Sequence, residues 1–402
     1  MKKNKYEIDM CNGTIMDKLI SFSIPLMLSG ILQLMFNAVD IVVVGRFSGS
    51  QALAAVGSTT ALINVFTNLF IGISLGANVL AARYYAAGKT KEMSETVHTA
   101  IALALVSGVA MAVIGVVFAR GALEIMGTPD DVIAKSTLYM RIYFCGMPFF
   151  MMYNYGAAIL RAVGDTKRPL IFLIVSGVIN AVLNLFLVIV FHLDVAGVGI
   201  ATVISQLVSC ILVLRCLHHT ESSYQLHLAK LRIRSVYLKQ IFEVGVPAGI
   251  QSTVINISNA MLQSSVNSFG SIAMAGYTAS NNIFGFLYVS VNSFTQACMS
   301  FTSQNYGVKK LKRMDRVLID CMILSVVVTL ILGSSVYIFG PELLHIYSNQ
   351  ADVIKYGMEI FSYTTVTYFL CGLMDLFPGA LRGMGYSTVP MICTRDCSKC
   401  SK

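Results

Sequence analysis

Asp40 is the one acid that closes a stripe of polar residues along an apolar run. The series Ser29, Gln33, Asn37, Asp40 advances in steps of four, four and three, so all four side chains share one helical face. Ser176, Asn180 and Asn184 form a second stripe of this kind, and Thr202 adds a hydroxyl from the next run. An ionisable group inside a membrane span costs about 2.5–3.5 kcal/mol on insertion scales and has to be compensated. The stripe is therefore expected to face the protein interior or a wet cavity rather than lipid. Asp40, Asn180, Asn184 and Thr202 together offer one carboxylate and several neutral oxygens, the donors that a hard cation such as Na⁺ favours. A carboxylate withdrawn from water also holds a proton more readily, so H⁺ is an equal candidate for the same group. Ordinary interhelical hydrogen bonding, about 0.6 kcal/mol per contact, would explain the asparagines but does not need a charge.

A second acid, Asp375, lies mid-run, seven residues before Arg382. The position corresponding to Asp40 in the second half falls near Leu262, in a span that carries uncharged Gln251, Asn256, Asn259 and Gln263. Gln33, Asn37, Asn256 and Asp375 are read as cavity-lining candidates. Arg141 and Glu359 lie nearer span ends, where a long side chain can snorkel to the interface.

The elements that must position these groups are membrane spans. Hydrophobic residues make up 56% of 402 and charged residues 12%, and the mean hydropathy is +0.72. A soluble domain carries about 25% charged residues, and a bilayer core needs about 20 apolar residues per helix. Ten spans are expected, at 20–45, 53–82, 96–118, 133–160, 169–191, 196–217, 243–268, 273–302, 317–340 and 353–381. Runs of this length in lipid are helices, so the fold class is an all-α integral membrane protein. The apolar run after the basic N-terminus is too long for a signal-peptide core and reads as a retained first span. Most of the ten cysteines, such as Cys145, Cys210 and Cys298, sit singly in apolar runs and read as small hydrophobes. Cys393, Cys397 and Cys400 cluster in the tail, but three thiols without a fourth ligand make a weak metal site.

With the N-terminus on the cytoplasmic side, 24 of the 29 Lys and Arg residues fall in inside segments. That asymmetry explains the net charge of +9 through anionic lipid headgroups, with no need of a nucleic-acid partner. The chain also repeats itself at an offset of 221 residues. Tyr85, Lys89, Lys91 and Met93 match Tyr306, Lys310, Lys312 and Met314, and Arg161, Gly164 and Pro169 match Arg382, Gly385 and Pro390. Six spans per repeat is an even number, which implies two parallel repeats around a central cavity. The expected organisation is an N-terminal cytoplasmic segment (1–19), an N-lobe of six spans (20–217), a cytoplasmic linker (218–242) and a C-lobe with four spans (243–392). A polar tail foreign to the fold (393–402) follows. The repeat predicts two further spans at 390–412 and 417–438, so a truncated product is expected, and an inactive copy is one reading of it.

The motifs carry a resemblance. Pro25 through Asp40-Ile-Val-Val-Val-Gly45-Arg46, then Ala54-Ala-Val-Gly57, resemble the multidrug and toxic compound extrusion (MATE) family. So do Leu160-Arg161-Ala-Val-Gly164-Asp165-Thr166-Lys-Arg-Pro169 with Asn180 and Asn184, and Leu381-Arg382-Gly-Met-Gly385-Tyr-Ser-Thr-Val-Pro390. The resemblance covers residues 15–392. It implies two six-helix lobes, alternating access, and export of organic, mostly cationic, drugs in exchange for Na⁺ or H⁺ across the bacterial cytoplasmic membrane. It also implies a cation site at Asp40, Asn180, Asn184 and Thr202, and an acidic C-lobe position at Asp375. Arg161, Gly164, Pro169, Arg382, Gly385 and Pro390 match its structural loop motif. Where one branch of the family has acids in the seventh and eighth spans, this chain has Asn256 and Asn281 or Asn282.

No glycine-rich nucleotide loop is present, so ATP is not expected as the energy source, and no cofactor beyond the coupling ion is expected. The six histidines scatter in or beside loops, which speaks against a membrane-embedded enzyme. A lipid-linked saccharide flippase is the nearest alternative. It calls for an arginine-rich cavity, and only Arg141 lies within a span.

Overall fold

The computed structural model describes residues 6–267, 269–347 and 350–400, and every regular element among them is helical. The charges counted at Lys2, Lys3, Lys5 and Lys402 lie outside the described residues, as do the side chains of Arg395, Cys397, Lys399 and Cys400. The first half contains α1 (Met16–Phe47), α2 (Ser50–Ala86), α3 (Thr90–Ile125), α4 (Asp130–Cys145), α5 (Met147–Ala162), α6 (Lys167–Leu185) and α7 (Asp194–His218). The second contains α8 (Ser235–Asn267), α9 (Ser271–Gly307), α10 (Leu311–Ile338), α11 (Gly340–His345), α12 (Ala351–Gly383) and α13 (Thr388–Cys400).

Seven of the described helices are long and apolar enough to cross a bilayer: α1, α2, α3, α6 with its π-helical extension Phe186–Val190, α7, α10 and α12. Their outward faces are greasy. On α3, Val106, Val109, Val113 and Val117 are all exposed, as a lipid-facing stripe should be. α8 and α9 are 33 and 37 residues long but more polar, with Gln251, Asn256, Asn281 and Asn282 along them.

The span expected at 133–160 is two helices. It breaks at Gly146, immediately before Met147-Pro148. Proline has no N–H to continue the ladder and crowds the turn before it, so α4 ends and α5 starts afresh. The span expected at 317–340 likewise gives way to the short α11 at Gly340-Pro341. The tail expected as a separate polar segment from residue 393 instead continues α13 as helix to Cys400. Its Thr394 accepts a hydrogen bond from Gln251 of α8 at 2.9 Å.

The repeat is written into the backbone. α2 and α9 start and finish 221 residues apart, at Ser50 and Ser271 and at Ala86 and Gly307. The left-handed positions obey the same offset: Gly49 and Gly270 (φ 86° and 97°), Gly88 and Lys309 (67° and 59°), Gly164 and Gly385 (95° and 93°). Equal turns at equal offsets mean that the same connections are built twice.

The two halves do not pack as closed units. The first turns of α1 enter the core of the second half, where Leu19, Phe22 and Leu26 meet Phe294, Phe301, Val317 and Leu376. Farther along, α1 leans on α6, where a methyl on Gly177 would fall inside the Phe36 ring. α2 in turn packs on α8 through glycines on both helices. A methyl on Gly72 would come within 2.3 Å of Gly249 Cα, and one on Gly76 within 2.1 Å of Ile241 O. Such small-residue stripes let helix backbones touch where lipid offers no hydrophobic drive for association.

Candidate functional site

α1 and α6 bring the two polar stripes together at one point. Asn184, fully buried in the last turn of α6, donates its amide to Asp40 Oδ1. The same Nδ2 also reaches Asn180 Oδ1 at 3.3 Å, and Asn180 Nδ2 points at Thr202 Oγ1 of α7 at 3.4 Å. Thr202 gives its own proton to Val198 O at 2.9 Å, which leaves its oxygen as an acceptor. Four residues from three helices thus form one chain of oxygens and amides ending on a carboxylate.

The donor set is short of protons. Asn184 Oδ1 is buried and has no hydrogen-bond partner among the described residues. A buried orphan acceptor costs about 1–3 kcal/mol. Beside a carboxylate, such an acceptor suits a cation, which needs oxygens and brings no lone pairs of its own.

The other sequence candidates lie elsewhere. Gln33 and Asn37 are exposed on α1 and do not join Asp40, while Ser29 is turned back on Pro25 O at 2.7 Å. Asn256 is half-buried on α8, away from this cluster. Asp375 sits on α12 within electrostatic reach of Arg382, Tyr288 and Tyr368. Arg382 donates to Gln251 Oε1 at 2.6 Å, so it braces α12 against α8. Arg161, its repeat mate, ends α5 near Tyr153, whose hydroxyl bonds Pro169 O at 3.1 Å. Pro169 and Pro390 are both buried in the first turns of α6 and α13, where proline is tolerated because those N–H groups have no helical acceptor. Gly164 and Gly385 hold the preceding turns. Arg141 is exposed and donates its Nε–H to Val116 O at 3.2 Å. Among the described residues no group of three His, Cys, Asp or Glu side chains could hold a metal ion.

Two residues escaped the sequence reading. Tyr139 and Tyr143 of α4 lie within electrostatic reach of Asp40. Their four-residue spacing puts them on one face, but nothing in the sequence says that this face meets α1.

Comparison with known proteins decides what these helices belong to. The sequence model of the MatE family matches residues 25–186 and 247–397. The chain belongs to the MATE family. Among MATE-related sequences, it is 29% identical over 378 residues to the probable multidrug resistance protein YoeA of Bacillus subtilis, covering 92% of this chain and 82% of that protein. It is 22% identical to the multidrug export protein MepA of Staphylococcus saprophyticus, covering 93% of this chain and 82% of that one. A MATE transporter solved in an outward-facing conformation superposes with a TM-score of 0.92 at 20% identity, over 98% of this chain and 88% of that one. The protein is thus a multi-pass membrane transporter of the MATE multidrug efflux family and not an enzyme, and its substrates are small molecules. Within that MATE fold the two repeats differ chemically: the position that Asp40 holds in the first is Met261 in the second, exposed on α8.

Proposed function

We propose that this protein is a cation-coupled antiporter that exports organic, mainly cationic, compounds across the bacterial cytoplasmic membrane by alternating access, with Na⁺ or H⁺ as coupling ion. The observation that carries the reading is the orphaned Asn184 oxygen beside Asp40, with Asn180 and Thr202 completing the donor set. An entering cation satisfies that oxygen and neutralises the carboxylate. When it leaves, both are exposed to desolvation again. One charge moving down 100 mV releases about 2.3 kcal/mol, enough for roughly a fortyfold gradient of a neutral solute. ATP is not required, and the basic end of the bundle, with Lys89, Lys91, Lys309, Lys310, Lys312 and Arg313, sits at the anionic cytoplasmic lipid surface.

α1 gives the coupling a mechanical route. The helix that carries Asp40 against α6 of the first lobe has its basic-end turns embedded in the second. A change of charge at Asp40 therefore acts on a helix that both lobes hold.

The test is ethidium efflux in a pump-deficient bacterial host, with and without Na⁺, for the parent and Asp40→Asn. The expected result is ion-dependent efflux by the parent and loss of that dependence in the variant. Efflux with intact ion dependence in Asp40→Asn would sink the proposal.

A further inference from the structure

The segment before α1, residues 6–13, runs across the basic end of the bundle and is bonded to both repeats. Its first half is held by the first repeat and the linker. The Glu7 carboxylate accepts Tyr224 OH at 2.6 Å on one oxygen and Tyr85 OH at 2.8 Å on the other. Ile8 N–H reaches Gly164 O at 3.4 Å, and the Arg168 guanidinium lies 5.6 Å from the centre of the Tyr6 ring. Gly164 has no room for a side chain because of this strap: a methyl there would fall 2.6 Å from Ile8 O.

The second half is held by the second repeat. Met10 is fully buried in the cluster with Phe301 and Val317. Its carbonyl accepts Asn305 Nδ2 at 3.1 Å and Arg313 Nε at 3.2 Å. Lys310 Nζ binds Cys11 O and Asn12 Oδ1, both at 2.9 Å, and Arg313 caps Asn12 O and Gly13 O at 3.1 and 2.9 Å.

The two attachments are unequal. The second-repeat side combines several main-chain bonds with a buried Met10 and runs straight into α1, whose first turns lie in the same core. The first-repeat side has one long main-chain bond, Ile8 N–H to Gly164 O at 3.4 Å, the Tyr6 ring contact beside Arg168, and two short bonds that the Glu7 carboxylate accepts. Separation of the repeats at this end has to break one attachment, and the weaker is at Glu7. The symmetric position shows that the site is special. At Tyr306, the repeat mate of Tyr85, the ring meets the Arg83 guanidinium at 4.8 Å instead of a carboxylate.

We propose that residues 6–13 are a latch on the cytoplasmic gate, with Glu7 as its releasable pin: the strap stays with the second repeat, and breaking the Glu7 bonds to Tyr85 and Tyr224 precedes opening. This rests on the alternating-access reading.

The test uses Ser303→Cys in the full chain. Ser303 is fully buried between the repeats, bonded to Val79 O at 2.6 Å, and becomes reachable when the basic end opens. Alkylation of position 303 by a membrane-permeant maleimide is read by peptide mass spectrometry, with buried Cys298 as internal reference. Loss of charge-assisted bonds at Glu7 is expected to raise the labelling rate at 303 about tenfold in Glu7→Gln. Tyr224→Phe, which removes one hydroxyl, should raise it less. Combining the two should add little to Glu7→Gln alone, because they remove the same bond. Labelling in Glu7→Gln equal to the parent would overturn the latch. A parallel rise at Cys298 would also overturn it, since that reports general loosening. Ethidium and Na⁺ dependence of labelling in the parent bears on alternating access itself, so the two failures are distinguishable.

Discussion

Gln304 on α9 donates its side-chain amide to the backbone oxygen of Ala162 at the end of α5, 2.7 Å away and across the boundary between the repeats. Its repeat mate, Arg83, reaches the other way, and a methyl on Gly385 would fall 3.0 Å from the Arg83 Nη2 atom. The pair closes the basic end from both sides. Asn78 adds to it by donating to Ala158 O at 2.8 Å while accepting Ser300 Oγ at 3.2 Å. Gln304→Ala should lose about 0.6 kcal/mol, the mean for an interhelical polar contact in lipid, and so raise the labelling of Cys at position 303 roughly threefold. An unchanged rate would mean that this contact does not help to close the gate.

Asn184 is expected to matter more than Asn180, because it bonds the carboxylate directly and carries the orphan oxygen. Asn184→Leu should reduce ion-dependent ethidium efflux at least about tenfold, as loss of a hydrogen bond to a charged group typically does. Asn180→Ala removes two longer contacts, at 3.3 and 3.4 Å, and should leave a measurable fraction. Equal losses in the two variants would refute this ranking.

Gly164→Ala and Gly88→Ala separate backbone strain from packing. Both positions have φ in the left-handed region, 95° and 67°, so each alanine costs about 1–2 kcal/mol. At Gly88 the added methyl has nothing within 4 Å, whereas at Gly164 it meets Ile8 O at 2.6 Å. Thermal unfolding in detergent should therefore show the larger loss for Gly164→Ala. Equal shifts would show that the strap yields without resistance.

The α2–α8 seam and its repeat mate, α1–α9, should respond differently. Gly249→Val puts a side chain where even a methyl would be 2.6 Å from Leu69 O, and overpacking of this kind costs about 1–3 kcal/mol. The corresponding position on α1 is Leu28, nearly half exposed, and Leu28→Ala should cost less than about 1 kcal/mol. Denaturation midpoints of the two variants test this, and comparable losses would count against a specialised α2–α8 contact.

Outside the membrane-spanning segments, Asp165 shows how the motif loop is held. It is fully buried, and burial pushes its carboxyl above the usual range, while the bonded Arg168 opposes that shift. Asp165→Asn would keep the shape but leave Arg168 uncompensated. Loosening of the strap at Tyr6 and Glu7 is expected, visible as faster proteolysis of the N-terminal segment. Unchanged proteolysis would show that Arg168 holds the loop by itself.

Much of the architecture is legible in the amino-acid sequence alone. Lipid forces every spanning segment to satisfy its own backbone, so length, apolarity and breakers mark helices by a local rule. The same locality makes the repeat readable, since equal turns need equal residues, as at Gly164 and Gly385. Helical periodicity also showed which faces of α1 and α6 are polar. It could not show that Asp40 meets Asn184 while Gln33 and Asn37 stay apart, because contact between residues 144 positions apart depends on how two helices lean. That lean is decided by shape: the notch at Gly177 that admits Phe36, the touching backbones at Gly72 and Gly249, and the break at Gly146 that turns α4 toward Asp40. Such complementarity belongs to pairs of surfaces and leaves no period in one chain. Only the folded protein could bring Tyr139 to the carboxylate, bury the first turns of α1 in the opposite repeat, and lay residues 6–13 across both.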